Sequence, residues 1–95
     1  MVDRYFDTGT NGSVSVGATS TTVMSENQGR GYALMVNDSD ETIYLGLGAP
    51  AVMNKGIPIF PYGGALEIDG EDPFRGDIFA ICVSGSKNLS FFESS

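Results

Sequence analysis

Histidine and tryptophan are missing from this chain, and cysteine occurs once. Without histidine there is no Ser-His-Asp machinery and no imidazole-ligated metal. A single cysteine, Cys82, excludes an internal disulfide and a cysteine metal cluster. It lies in the apolar run Ile78-Phe79-Ala80-Ile81-Cys82-Val83 and reads as a small buried hydrophobe, since no base stands by to make a thiolate. Cations are scarce too: Arg4, Arg30, Lys55, Arg75 and Lys87 stand singly against twelve acidic residues, for a formal charge of −7. A nucleic-acid binder needs a basic stripe to displace phosphate counterions, so direct binding to DNA or RNA is not expected. The same balance disfavours an anionic membrane surface. No apolar stretch is long enough to cross a bilayer, and Met1-Val2-Asp3-Arg4 does not open a signal peptide, so the expected site of synthesis is the cytoplasm.

What is present is enough for one small core. Ninety-five residues make one domain, 41% hydrophobic, with six Phe and four Tyr. Thirteen Gly and four Pro cut the chain into short pieces, and helical periodicity is absent from all of them. Alternation takes its place. Val14, Val16 and Ala18 alternate with Ser13, Ser15 and Gly17, and Thr21 to Met24 continues with β-branched residues. Tyr32, Leu34 and Val36 oppose Ala33 and Met35, while Ile43, Leu45 and Leu47 oppose Tyr44 and Gly46. Further strands are expected at 57–60, 65–68, 78–83 and 88–92, each bounded by turn chemistry such as Pro61-Tyr62-Gly63-Gly64. The expected fold is therefore all-β, a small antiparallel β-sandwich or barrel of seven to eight short strands. Several of these strands carry apolar residues on both faces and need cover on both sides, which a neighbouring subunit would supply.

Residues 1–12 differ from the remainder. Tyr5 and Phe6 precede a polar, glycine-containing run, so 1–12 is expected to be a flexible N-terminal arm and 13–95 the β-domain. Tyr5 and Phe6 are candidate partner-binding residues, because aromatic anchors carry a large share of binding energy.

There are two acidic clusters, the first a turn that could also hold a metal and the second a solvated loop between strands. Asn37-Asp38-Ser39-Asp40-Glu41 suits a hairpin loop, since its residues tolerate left-handed backbone and bond to their own chain. Asp38, Asp40 and Glu41 could offer oxygen to a calcium ion, but a calcium loop needs further ligands in register, and they do not follow. The second cluster, Asp69 to Asp72, leads into Pro73-Phe74-Arg75. Phe74 is either tucked onto the core edge or offered to a partner. Neither a dinucleotide fingerprint nor a phosphate loop is present. No catalytic residue, cofactor or metal is expected, and the protein is not expected to be an enzyme.

Three stretches together carry a resemblance: "SVSVGATSTTVMSEN", "YALMVNDSDETIYLGLGAPAVMNKGIPIFPYGGALEI" and "GDIFAICVSGSKNLSFFE". Over residues 13 to 93 the chain resembles small virion proteins of tailed bacteriophages. The resemblance implies a structural component of the virion, in particular a capsid decoration (cement) protein on the outer capsid surface that binds the major capsid protein and stabilises the head. It also implies a homo-oligomer, a trimer above other numbers, with apolar strand faces packed round the axis and terminal arms on capsid subunits. A neck, tail or fibre-base component is the alternative in the same class. A host-surface or glycan-binding module, using Tyr32, Tyr44, Tyr62 and Phe74 as an aromatic platform, is the alternative outside it.

Overall fold

The computed structural model describes residues 9–71 and 73–94. Eight strands follow in order: β1 (Gly9–Val16), β2 (Thr21–Met24), β3 (Tyr32–Asn37), β4 (Ile43–Leu47), β5 (Ile57–Ile59), β6 (Ala65–Ile68), β7 (Ile78–Ile81) and β8 (Lys87–Ser94). Each lies where the alternating pattern predicts one. β1 starts earlier than the pattern suggests, so Gly9–Gly12, expected within the tether, are ladder residues opposite Phe91 to Ser94. Tyr5 and Phe6 lie outside the described residues.

The strands form two antiparallel sheets, ordered β1-β8-β3-β6 and β2-β7-β4-β5. Pairing is nested: β1 with β8, β2 with β7, β3 with β6 and β4 with β5. One long ribbon of paired strands has thus been rolled up, and the β3–β8 and β4–β7 ladders close it. This is the connectivity of an eight-stranded jelly roll, one of the two alternatives that short, evenly spaced strands leave open.

Period-two alternation decides what lies between the sheets. Ala33 and Met35 of β3, Ile43 and Leu45 of β4, Ile78 and Ala80 of β7, and Leu89 of β8 are all at most 1% exposed and form one cluster. Val16, Val23, Met24, Ile59, Ile68 and Cys82 belong to it too. On β3 the inward set is the smaller one, so Tyr32, Leu34 and Val36 face outward and are half-buried.

The second apolar face of β7 is covered partly from within the chain. Ile81 and Ala51 are buried yet stand outside the main cluster. The β4–β5 connection folds back across Gly46, where an added Cβ would lie 2.6 Å from the Ala49 carbonyl oxygen and 3.0 Å from Ala51 Cα. Only glycine leaves room for that crossing. Ser20 Oγ accepts from the Ala51 N–H at 2.9 Å and pins the loop. A similar fit builds the β1–β8 ladder: Cβ atoms on Gly9 and Gly12 would fall 2.5 and 2.8 Å from the rings of Phe92 and Phe91. The two phenylalanines therefore lie over the strand, supplying contacts that glycine cannot make.

At the end of the sandwich where β2 leads to β3 and β6 to β7, Arg30 is fully buried. Its Nε donates to Glu93 at 2.7 Å, Nη1 to the carbonyls of Phe74 and Gly76 at 3.0 Å, and Nη2 to the Ser25 carbonyl at 2.9 Å. A buried guanidinium is tolerated when its planar fork is matched in this way. Arg30 thus ties two loops and the final strand together. In the sequence it is only one of five scattered cations.

Candidate functional site

The connections β1–β2, β3–β4, β5–β6 and β7–β8 gather at the other end of the sandwich. The polar block that follows β3 organises it. Asn37 is fully buried, and its Nδ2 donates to the carbonyls of Glu41 at 2.7 Å and Ile59 at 2.8 Å. Its own N–H donates to the Gly64 carbonyl, and its carbonyl accepts from the Gly63 N–H. Ser39 Oγ donates to Asn37 Oδ1 at 2.6 Å, closing the turn on itself. The amide side chain thereby fastens the β3–β4 turn to strand β5, and the Asn37 backbone fastens it to the β5–β6 turn.

The carboxylates of the block face the β7–β8 loop and the start of β8. Glu41 accepts from the Ser84 N–H at 2.8 Å and from Ser84 Oγ at 2.6 Å. The Ser84 hydroxyl, then its N–H, hold the Glu41 carboxyl below the usual carboxylate range. Asp40 pairs with Lys87 at 2.7 Å, which lowers the acid and raises the amine. Asp38 meets Asn88 Nδ2 at 3.5 Å, a long contact. The acidic block is therefore a turn that staples three loops. Among the described residues no three of His, Cys, Asp and Glu converge to hold a metal ion.

On this fastened base stand large apolar residues that are mostly exposed. Phe60 is 65% exposed, Tyr62 80% and Val83 68%. Tyr62 has φ of 61° and Gly63 of 102°, so both are left-handed, a conformation tyrosine rarely adopts. That backbone costs about 1 to 2 kcal/mol at Tyr62. It is held by the Tyr62 N–H donating to the Ser39 carbonyl at 3.0 Å and by the Gly64 N–H donating to the Phe60 carbonyl at 3.1 Å. A strained turn that displays an aromatic ring to solvent gains nothing for folding. Such outliers concentrate where a surface is used.

The structure separates the aromatic residues that the sequence singles out. Phe74 is half-buried and packs against the core cluster, and its carbonyl is one of the Arg30 acceptors. It sits in the β6–β7 loop, at the end away from Phe60 and Tyr62. Tyr32 is on the outer face of one sheet, with its hydroxyl donating to Glu67 at 2.6 Å, which pushes that hydroxyl's pKa up. Tyr44 is on the other sheet, opposite Ile81 and Pro58. Tyr32, Tyr44, Tyr62 and Phe74 are thus spread over two sheets and two loops, and do not make one platform. Cys82 is buried, its thiol directed at the Val16 carbonyl at 3.4 Å, and burial pushes the thiol pKa up, the opposite of a reactive nucleophile.

Phe60 and Val83 were legible only as members of turn-flanking apolar runs. The available signal was Tyr62 itself, a bulky residue at a turn position between Pro61 and Gly63-Gly64 that ordinarily takes Asn, Asp or Gly. No protein-family model, no curated protein and no solved structure matches this chain.

Proposed function

We propose that this protein is a non-catalytic structural component of a bacteriophage virion, a capsid decoration protein that docks on the outer shell through its Phe60–Tyr62–Val83 loop end. The observation that carries the docking role is Tyr62, 80% exposed and held in a left-handed turn by its own N–H donating to the Ser39 carbonyl of a neighbouring loop and by the Gly64 N–H donating to the Phe60 carbonyl. Rigid aromatic anchors lose little conformational entropy when they enter a partner's pocket, so they make efficient contacts. Of the acidic groups near them, Glu41 is engaged with Ser84 and Asp40 with Lys87. Jelly rolls serve as shell and lectin domains, and the fold alone does not choose between these. The choice of a virion rests on the resemblance of residues 13 to 93.

Purified protein added to undecorated phage heads tests this reading. Uptake and slower heat-induced release of DNA are expected, because many copies brace the shell through multivalent contacts. Phe60→Ser with Tyr62→Asn is expected to weaken uptake by about a hundredfold, as for loss of two anchors of about 1 to 2 kcal/mol each. No uptake by the wild type, or equal uptake by the double variant, rejects the proposal. Uptake by tails but not heads would move the protein to the neck, tail or fibre base. Glycan binding that Tyr62→Asn abolishes would replace the virion reading with a lectin.

A further inference from the structure

A jelly roll leaves four edge strands, here β1 and β6 in one sheet and β2 and β5 in the other. Natural sheets blunt such edges with short strands, prolines, bulges or charges, because an open edge templates a further strand. Three of the four are blunted in these ways. β5 has three residues with Pro58 at its centre. β2 has four, and its register slips between Thr22 and Met24. β6 has four and carries Glu67 exposed in its middle. β1 has none of these devices: eight residues, Gly-Thr-Asn-Gly-Ser-Val-Ser-Val, without charge or proline, and in regular register with β8 along their whole length. Gly9 to Ser13 and Ser15 are exposed, and among the described residues β8 is the only strand that pairs with β1.

The charge pattern names the occupant. Two copies of a −7 chain repel one another wherever acidic surface meets acidic surface. The segment from Thr8 to Ser25, which contains both β1 and β2, has no Asp, Glu, Lys or Arg. The four-residue connection from β1 to β2 stacks these two edges on the same side of the sandwich. Among the described residues, these two edge strands and their connection are thus without charge in a molecule that is acidic overall. The side chains along β1 are small, so a second backbone can approach to ladder distance.

We infer that β1 pairs antiparallel with β1 of a second copy across a two-fold axis, joining two four-stranded sheets into one of eight. The shared edge is roughly 27 Å long, from eight residues at about 3.4 Å each. Self-complementary pairing of this kind closes at two copies, which departs from the trimer that the resemblance implies. The inference does not depend on the proposed docking on capsids.

Sedimentation velocity on the full chain, from about 1 to about 500 µM, should show a concentration-dependent species of twice the 10.0 kDa chain mass. Added salt should tighten it by screening repulsion between the acidic bodies. Ser13→Lys with Ser15→Lys should weaken dimerisation by about tenfold or more. Those substitutions change the net charge from −7 to −5, so a loss of dimer would not come from greater overall repulsion. Hydrogen exchange in the wild type gives a second readout: at high concentration, additional protection should fall on β1 amides. A monomer throughout, a trimer, a dimer that ignores the lysines, or protection confined to other strands overturns the inference. Capsid uptake by a strict monomer would remove the dimer and leave the proposed function standing.

Discussion

Replacing Arg30 by methionine tests the account of the fold most severely. The guanidinium is fully buried and makes four hydrogen bonds, one to the Glu93 carboxylate and three to carbonyls of Phe74, Gly76 and Ser25. Methionine fills much of the volume but offers no donor. Glu93, only 17% exposed at its side chain, then keeps its charge without its partner. Removing one member of a buried pair costs about 3 to 5 kcal/mol, most of it from the group left behind. The orphaned carbonyls add to this where water cannot reach them. We expect a loss of about 4 kcal/mol, a large part of the stability of a domain this size. With a urea m-value of about 1 to 3 kcal/mol per molar, the midpoint should fall by roughly 2 M. Far-ultraviolet circular dichroism through a urea titration reads this directly. Arg30→Met with Glu93→Leu should recover a good part of the loss, because an apolar pair leaves no uncompensated charge. Lys55→Ala, at an exposed position, should stay within about 0.5 kcal/mol of the wild type. A loss below about 1 kcal/mol in Arg30→Met would refute the claim that this clamp holds the two loops to the last strand.

Two further outcomes follow from the loop end. Tyr62→Asn relieves part of the left-handed strain and gives up little burial, so stability should rise by about 0.5 to 1 kcal/mol with an unchanged m-value, while capsid uptake falls. A drop in stability would mean that the ring serves the fold after all. Glu41 and Asp40 have folded pKa values below their unfolded ones, so their contribution is complete above the ordinary carboxylate range and is lost as pH falls through the lowered values. Ser84→Ala should shift the Glu41 carboxyl titration, followed by nuclear magnetic resonance, upward towards the ordinary range and flatten that part of the acid dependence. An unmoved titration would show that Ser84 is not what holds the carboxylate charged.

Much of the architecture could be read without coordinates, because strand formation is a local pattern. The alternation through 13–16, 32–36 and 43–47, and the turn residues between the apolar runs, located all eight strands to within a few positions. The Asn37-Asp38-Ser39-Asp40 turn was equally legible, since its chemistry closes on its own backbone. Gly9 to Gly12 were read as tether because two glycines in four residues weaken any strand pattern. What makes them a strand is contact with the Phe91 and Phe92 rings, some eighty residues away in the chain. The outward choice on β3 was likewise hidden, since either alternating set is apolar enough to be the core.

The amino-acid order by itself determined that this chain is a set of short antiparallel strands joined by tight turns, and that it has no histidine. The nested pairing, the burial of one arginine among five cations, and the display of Phe60, Tyr62 and Val83 were decided only by the tertiary structure. Periodicity and turn preference act over a few residues, whereas partners such as Arg30 and Glu93, or Ser39 and Tyr62, meet only when distant segments close on one another.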